Sequence, residues 1–189
     1  GSLGQPNDVT CTGVEKKLGL HASPTCSLSF GDNDECTGYL CGEENRGLSH
    51  MFQMMNAARI NTGVSGMTLA STAYQNALAY AKERVQGADV ARRKPGYIPI
   101  IGHPDVRRML LWMKAMVDGM RSMIYTGAFW SDLALELDEG EEKKHYQALV
   151  DFMTPIIKAY CSDMGFRVCE TAIQCFGGYG FCREYPVEQ

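Results

Sequence analysis

The side chains of this 189-residue sequence that could do chemistry cluster in a few places. Near its end, Gln174-Cys175-Phe176-Gly177-Gly178-Tyr179-Gly180-Phe181 leaves a helical pattern through three glycines. Without a Cβ, such a backbone can bring its amides close to a diphosphate, although a plain helix stop followed by a tight turn explains the same glycines. In mid-chain, Lys82, Arg84, Arg92, Arg93, Lys94, Arg107, Arg108 and Lys114 outnumber Glu83, Asp89 and Asp105. This basic segment could hold phosphates, or its charges could be solvated and paired with nearby carboxylates. Glu142 and His145 have the Glu-x-x-His spacing of di-iron bundles, but a second such pair is missing and the run from Glu139 is densely charged. A solvated helix face is the simpler reading, and no metal is expected. The eight cysteines contain no C-x-x-C pair, which argues against zinc. Cys161, Cys169 and Cys175 fall in a helical pattern, where reduced thiols act as small hydrophobes.

These residues need a scaffold, and composition bounds what it can be. A chain of 20.9 kDa makes one compact domain or two small ones. With 45% hydrophobic and 21% charged residues it has ordinary globular usage, so disordered, collagen-like and coiled-coil classes are excluded. A net charge of -4 and a pI near 5.6 give no overall attraction to nucleic acid or to an anionic membrane, so neither is expected as a partner. No apolar run approaches the roughly 18 to 20 residues needed to span a bilayer, and the start of the chain lacks a signal-sequence pattern. A cytoplasmic address is expected.

Residues 1–47 are rich in Gly, Asp, Asn, Ser and Thr, with β-compatible runs at 8–12 and 25–30 separated by turn residues. A few strands have too little buried face to stand alone, so they read as the end of a β-domain. Residues 48–189 are helical. The first helix runs from about Leu48 to Gln86 with small residues at Gly63, Gly66, Ala70, Ala73, Ala77 and Ala81, a stripe that lets a neighbour come close. Pro95, Gly96, Pro99 and Gly102 interrupt it with a loop between helices. The second helix begins near Pro104, and Val106, Met109, Leu110, Met113, Met116, Val117, Met120 and Ile124 follow core spacing. A third is predicted over Glu139 to Met153. Thr154-Pro155 then reads as an N-cap and first-turn proline opening a fourth, with the stripe Ile156, Tyr160, Met164, Val168, Ala172 and Cys175. The expected fold class is mainly α: a C-terminal four-helix bundle preceded by a few strands from a β-domain.

Taken together, Gln174 through Glu188, ending Glu184-Tyr185-Pro186-Val187-Glu188, resembles the signature near the end of the helical domain of acyl-CoA dehydrogenases. Residues 17–25 and 40–48 resemble the closing strands of that family's middle β-domain, in matching order. Met51-Phe52-Gln53-Met54-Met55-Asn56-Ala57-Ala58-Arg59 and His103-Pro104-Asp105-Val106-Arg107-Arg108 resemble the larger bacterial members, including those acting on methylthiopropanoyl-CoA. The resemblance covers nearly the whole chain from Asn7. It implies that 1–47 is the incomplete end of the middle β-domain, that 48–189 is an incomplete C-terminal helical domain, and that the chain is a fragment.

The implied activity is FAD-dependent α,β-dehydrogenation of an acyl-CoA thioester. A carboxylate takes the α-proton while a hydride leaves the β-carbon for flavin N5, so positioning and a desolvated base matter more than any covalent step. Most relatives carry that base in a Tyr-Glu-Gly-Thr segment beyond the residues present here. The helix position used by a minority, before an Arg, corresponds to Ala58, so no catalytic residue is assigned. By motif position Arg84 matches an arginine reaching the FAD diphosphate of a neighbouring subunit, with a surface ion pair as its alternative. Gln174, Gly177 and Gly178 match the same cross-subunit site. Pro104 stands where a FAD-contacting Gln often lies, which leaves His103 as its substitute. Asn56 and Arg59 match positions near the CoA moiety, and Arg59 suits a structural ion pair equally well. The implied partners are acyl-CoA, further copies of the chain in a homo-oligomer, and an electron-accepting flavoprotein. The fragment alone is expected to hold FAD weakly and to be inactive. A reading from another class is a non-catalytic helical-bundle interaction module using the same apolar faces.

Overall fold

The computed structural model describes residue 4, residues 6–91 and residues 95–187. Arg92, Arg93 and Lys94 of the basic segment, and Glu188 of the C-terminal motif, lie outside the described residues. The chain divides into two compact units, Gly1–His50 and Met51–Gln189.

The first unit is built on strands β1 (Val9–Val14) and β2 (Cys26–Phe30), paired antiparallel from Val9 opposite Phe30 to Val14 opposite Cys26, with a register shift between Cys11 and Gly13. Side chains of Asn7 and Asp8 fasten the loop that follows. Asn7 Nδ2 donates to the Thr37 carbonyl while Asn7 Oδ1 accepts from the Thr37 amide. The Asp8 carboxylate accepts from the Asn33 amide at 2.6 Å, which holds its pKa below the ordinary 3.8.

The second unit is dominated by helices α1 (Gly47–Glu83), α2 (Pro104–Glu136) and α3 (Glu141–Phe176). Between α1 and α2, where only a loop is expected, the chain makes a small antiparallel pair, β3 (Val85–Ala88) with β4 (Tyr97–Pro99). Gly87 and Gly96 sit at φ +75° and +77°, which a side chain would resist. Proline opens α2 and two glutamates open α3, where a missing N–H and negative charge respectively suit a helix N-terminus.

The small-residue stripe of α1 is a contact face. Ala70, Ala77 and Ala81 are fully buried. A Cβ on Gly66 would stand 2.5 Å from the Cys161 carbonyl oxygen, and one on Gly165 only 2.7 Å from the Gly66 carbonyl oxygen, so α1 and α3 cross with backbones almost touching. On its exposed side α1 carries Thr62, Ser65, Thr68 and Thr72, whose hydroxyls donate to the carbonyls four residues earlier. The methionine stripe of α2 also packs inward: Met113 and Met120 are fully buried, with Leu110, Val117 and Ile124 beside them.

The mainly helical class holds, but the division into four helices does not. Among the described residues the expected third and fourth helices are one, with Pro155 inside α3. Thr154 is buried rather than capping, and its hydroxyl donates backward to the Val150 carbonyl at 2.7 Å. Proline removes the bond to the Asp151 carbonyl, a change usually costing about 3 kcal/mol, but both residues lie on the exposed side where water can satisfy that oxygen. The buried row Val150, Thr154, Ile157, Cys161 runs straight through and keeps the helix intact. The expected stripe is accordingly one residue out at its start: Ile156 and Tyr160 are exposed, while Ile157 and Cys161 are fully buried.

Candidate functional site

The ends of α1 and α3, together with β3 and the start of α2, line an open cavity of about 360 Å³. Its walls include Tyr80, Ile100 and Phe176, and its polar lining comes from Arg84, Gln86, His103 and Gln174. Of the residues singled out for a cofactor, Arg84, His103, Gln174 and Gly177 therefore share one cavity. Gly178 is the next residue on the same turn and is exposed.

Local folding explains each placement. The Arg84 amide still donates to the Tyr80 carbonyl as α1 ends, and the Arg84 carbonyl accepts from the Ile100 amide just after the returning strand β4, so its backbone is fastened on both sides. His103 lies 2.7 Å, through Nε2, from the Gln86 carbonyl oxygen. A carbonyl can only accept, so Nε2 carries the proton, and the other nitrogen of the neutral ring is an acceptor. The glycines after α3 have separate reasons. Gly177 ends the helix at φ +59°, and a Cβ on Gly180 would meet the Ile173 carbonyl oxygen at 2.8 Å. Nothing lies within 4 Å of a Cβ on Gly178, so its own fold leaves that side open. A helix stop is therefore present, and it leaves exposed backbone beside the cavity.

The electrostatics favour an anion. Arg84 Nε is buried and has no hydrogen-bond partner, and no carboxylate lines the cavity among the described residues. The guanidinium carbon instead lies 4.9 Å from the centre of the Tyr179 ring, a cation–π contact that uses none of its N–H donors. Tyr179 was not anticipated from sequence, because its partner is far away along the chain. Tyr179 leans on Tyr185, which meets Tyr80 edge-on, and Tyr80 stacks on Phe176 at 4.4 Å. Burial raises the Tyr80 pKa, against the opposing pull of Arg84. Burial also pushes the Cys175 thiol up to about 11, with Asp105 adding to the effect. A thiol so placed stays protonated at neutral pH and is no nucleophile.

Asn56 and Arg59 are not brought to this cavity. They stand on α1, 28 and 25 residues before Arg84, which at 1.5 Å per residue is about 38 to 42 Å along the axis. Arg59 lies over the Phe52 ring at 5.3 Å. Ala58 is exposed on the same helix, and Glu142 and His145 are exposed on α3. Among the described residues no cluster of His, Cys, Asp and Glu could hold a metal ion, and no helix is long and apolar enough to cross a membrane.

An orphaned arginine donor beside an open glycine backbone suits a diphosphate, and comparison with known proteins gives that geometry a context. Residues 45–189 match the family model for the acyl-CoA dehydrogenase C-terminal domain. The chain is 44% identical over 190 residues to a butyryl-CoA dehydrogenase of Syntrophomonas wolfei, covering 98% of this chain and 31% of that protein. It is 42% identical to 3-methylmercaptopropionyl-CoA dehydrogenase of Ruegeria pomeroyi, covering all of this chain and 32% of the relative. Its fold matches that of butyryl-CoA dehydrogenase from Megasphaera elsdenii with a TM-score of 0.73 and 26% identity, over 96% of this chain and 42% of the other. The chain thus spans about a third of the length of the curated relatives it matches. A family model matched over most of its residues, at the helices that carry the cavity, shows that the chain belongs to the acyl-CoA dehydrogenase family.

Proposed function

We propose that this chain supplies the helical part of a cytoplasmic, FAD-dependent acyl-CoA dehydrogenase that introduces an α,β double bond into acyl-CoA thioesters. Residues 48–189 are its helical bundle and residues 1–47 the end of its middle β-domain. The observation that carries the reading is the convergence of Arg84, Gln174 and the Gly177 backbone on one cavity, with the Arg84 Nε proton unused.

In this reading Arg84 neutralises the FAD diphosphate with charge-assisted hydrogen bonds, Gln174 donates an amide N–H to it, and Gly178 lets the backbone approach. His103 offers an acceptor to a cofactor hydroxyl when neutral and a second donor only when protonated. FAD, when bound, supplies the hydride acceptor. Asn56 and Arg59 hold the CoA part of the substrate at the other end of α1. That separation fits a homo-oligomer in which the cavity of one copy receives a cofactor that serves a second copy. Turnover needs an acceptor for the electrons, and an electron-transferring flavoprotein is the partner implied.

The full-length protein should bleach its flavin absorbance with at least one member of a panel of acyl-CoA thioesters. Arg84→Met should weaken FAD retention by about 10- to 100-fold, the worth of a hydrogen bond to a charged group. The 189-residue chain alone should hold FAD weakly and turn over nothing in a dye-coupled assay. A flavin that no thioester bleaches would refute the reading.

A further inference from the structure

We propose that Tyr179 is a positioning residue that presents Arg84 to the diphosphate, an inference that rests on the diphosphate reading of the cavity. A long arginine side chain at the end of a helix has many rotamers, and an anion that has to order it loses affinity by that entropy. Two means of fixing a guanidinium are common. A carboxylate holds it strongly but takes up its N–H donors and cancels its charge. An aromatic face holds the planar cation from below and leaves its edge donors and its charge available.

The structure has the second arrangement. The Tyr179 ring centre is 4.9 Å from the guanidinium carbon, and Nε is buried without a partner. The ring is itself held: Tyr185 lies 4.9 Å from it at a 32° tilt, and Tyr185 in turn meets Tyr80 and Phe176. The turn that carries Tyr179 is pinned by Gly177 at φ +59° and by Gly180 against the Ile173 carbonyl. The aromatic group therefore converts the meeting of the α1 and α3 ends into a fixed direction for one charge.

The test is titration of the full-length apoprotein with FAD, followed by flavin fluorescence, for Tyr179→Phe, Tyr179→Leu, Arg84→Met and the Leu/Met double variant. Phenylalanine keeps the aromatic face and should bind FAD within about twofold of the parent, whereas leucine removes it and should weaken binding about 5- to 20-fold. On the Arg84→Met background the leucine substitution should add almost nothing, since the two residues act as a unit. If the leucine variant does not fold, Tyr179→Gln is read in the same way. Parent-like FAD affinity in Tyr179→Leu, with Arg84→Met still weakened, would overturn the positioning role and leave the diphosphate reading standing. Equal losses for phenylalanine and leucine would also overturn it, by assigning the effect to the hydroxyl. Parent-like affinity in Arg84→Met would remove the diphosphate reading and this proposal together.

Discussion

Alanine at Gly165 should destabilise the protein, although the same exchange at Gly119, in the middle of α2, should stabilise it. In a helix interior, Gly→Ala gains about 1 kcal/mol of propensity. At Gly165 the new methyl would stand 2.7 Å from the Gly66 carbonyl oxygen and 3.1 Å from its carbonyl carbon, and backbone cannot rotate away as a side chain does. The helices must separate, at an overpacking cost of about 2–3 kcal/mol that leaves a net loss of about 1–2 kcal/mol. Gly119, in the middle of α2, is the control: nothing lies within 4 Å of its Cβ position, so Gly119→Ala should gain about 0.5–1 kcal/mol. Gly127 falls between them, because its methyl would meet only the Ile157 side-chain tip, at 2.6 Å, and it should be near neutral. Urea midpoints at constant m-value, and melting temperatures shifted about 2–4 °C per kcal/mol, would read the series. A Gly165→Ala protein as stable as Gly119→Ala would refute the close crossing of α1 and α3.

Two other outcomes follow from α3. Cys175, with its pKa pushed up to about 11, should react with iodoacetamide at pH 8 at least about 100-fold more slowly than a thiol at the ordinary 9.0, and mass spectrometry of labelled peptides would show it. Because this pKa is raised, the folded state keeps a proton that the unfolded state loses, so stability should fall as pH rises from 9 toward 11, and a denaturation series across that range should show the decline. Pro155→Ala should restore the hydrogen bond to the Asp151 carbonyl without moving the helix, raising stability by about 1–2 kcal/mol after allowing for the freer unfolded chain; an unchanged or lower urea midpoint would contradict a continuous α3.

What was legible in the sequence depended on whether a local signal agreed with the tertiary contact. The core face of α2 was legible because large apolar residues repeat at helical spacing and nothing competes with them. The α1 stripe was legible because small residues have no other reason to recur there. In α3 the local signal pointed the wrong way: Thr154-Pro155 has the chemistry of a helix start, but burial on both sides of it decides the matter. The one-residue error at Ile156 and Tyr160 has the same source. Ile156 and Ile157 are equally apolar, and Tyr160 would be preferred to Cys161 on size. Yet the backbone of Gly66 approaches at Cys161, where only a small residue fits. Strands as short as β3 and β4 carry no usable alternation.

The candidate site divides along the same line. Arg84, Gln174 and the glycines are visible as residue types, but their convergence depends on how two helices end, and that is set at the α1–α3 crossing. From Gly66 to Arg84 is about 27 Å along α1, and from Gly165 to Gln174 about 14 Å along α3. Over those lengths a small change in crossing angle becomes a displacement of several ångströms at the cavity. The contact between Arg84 and Tyr179 joins the two helix ends just where that displacement would be greatest. Gly165→Ala should therefore weaken FAD binding as well as stability, even though its methyl lies far from the cavity. A purely local role for the glycine would leave cofactor affinity unchanged in the fraction that remains folded.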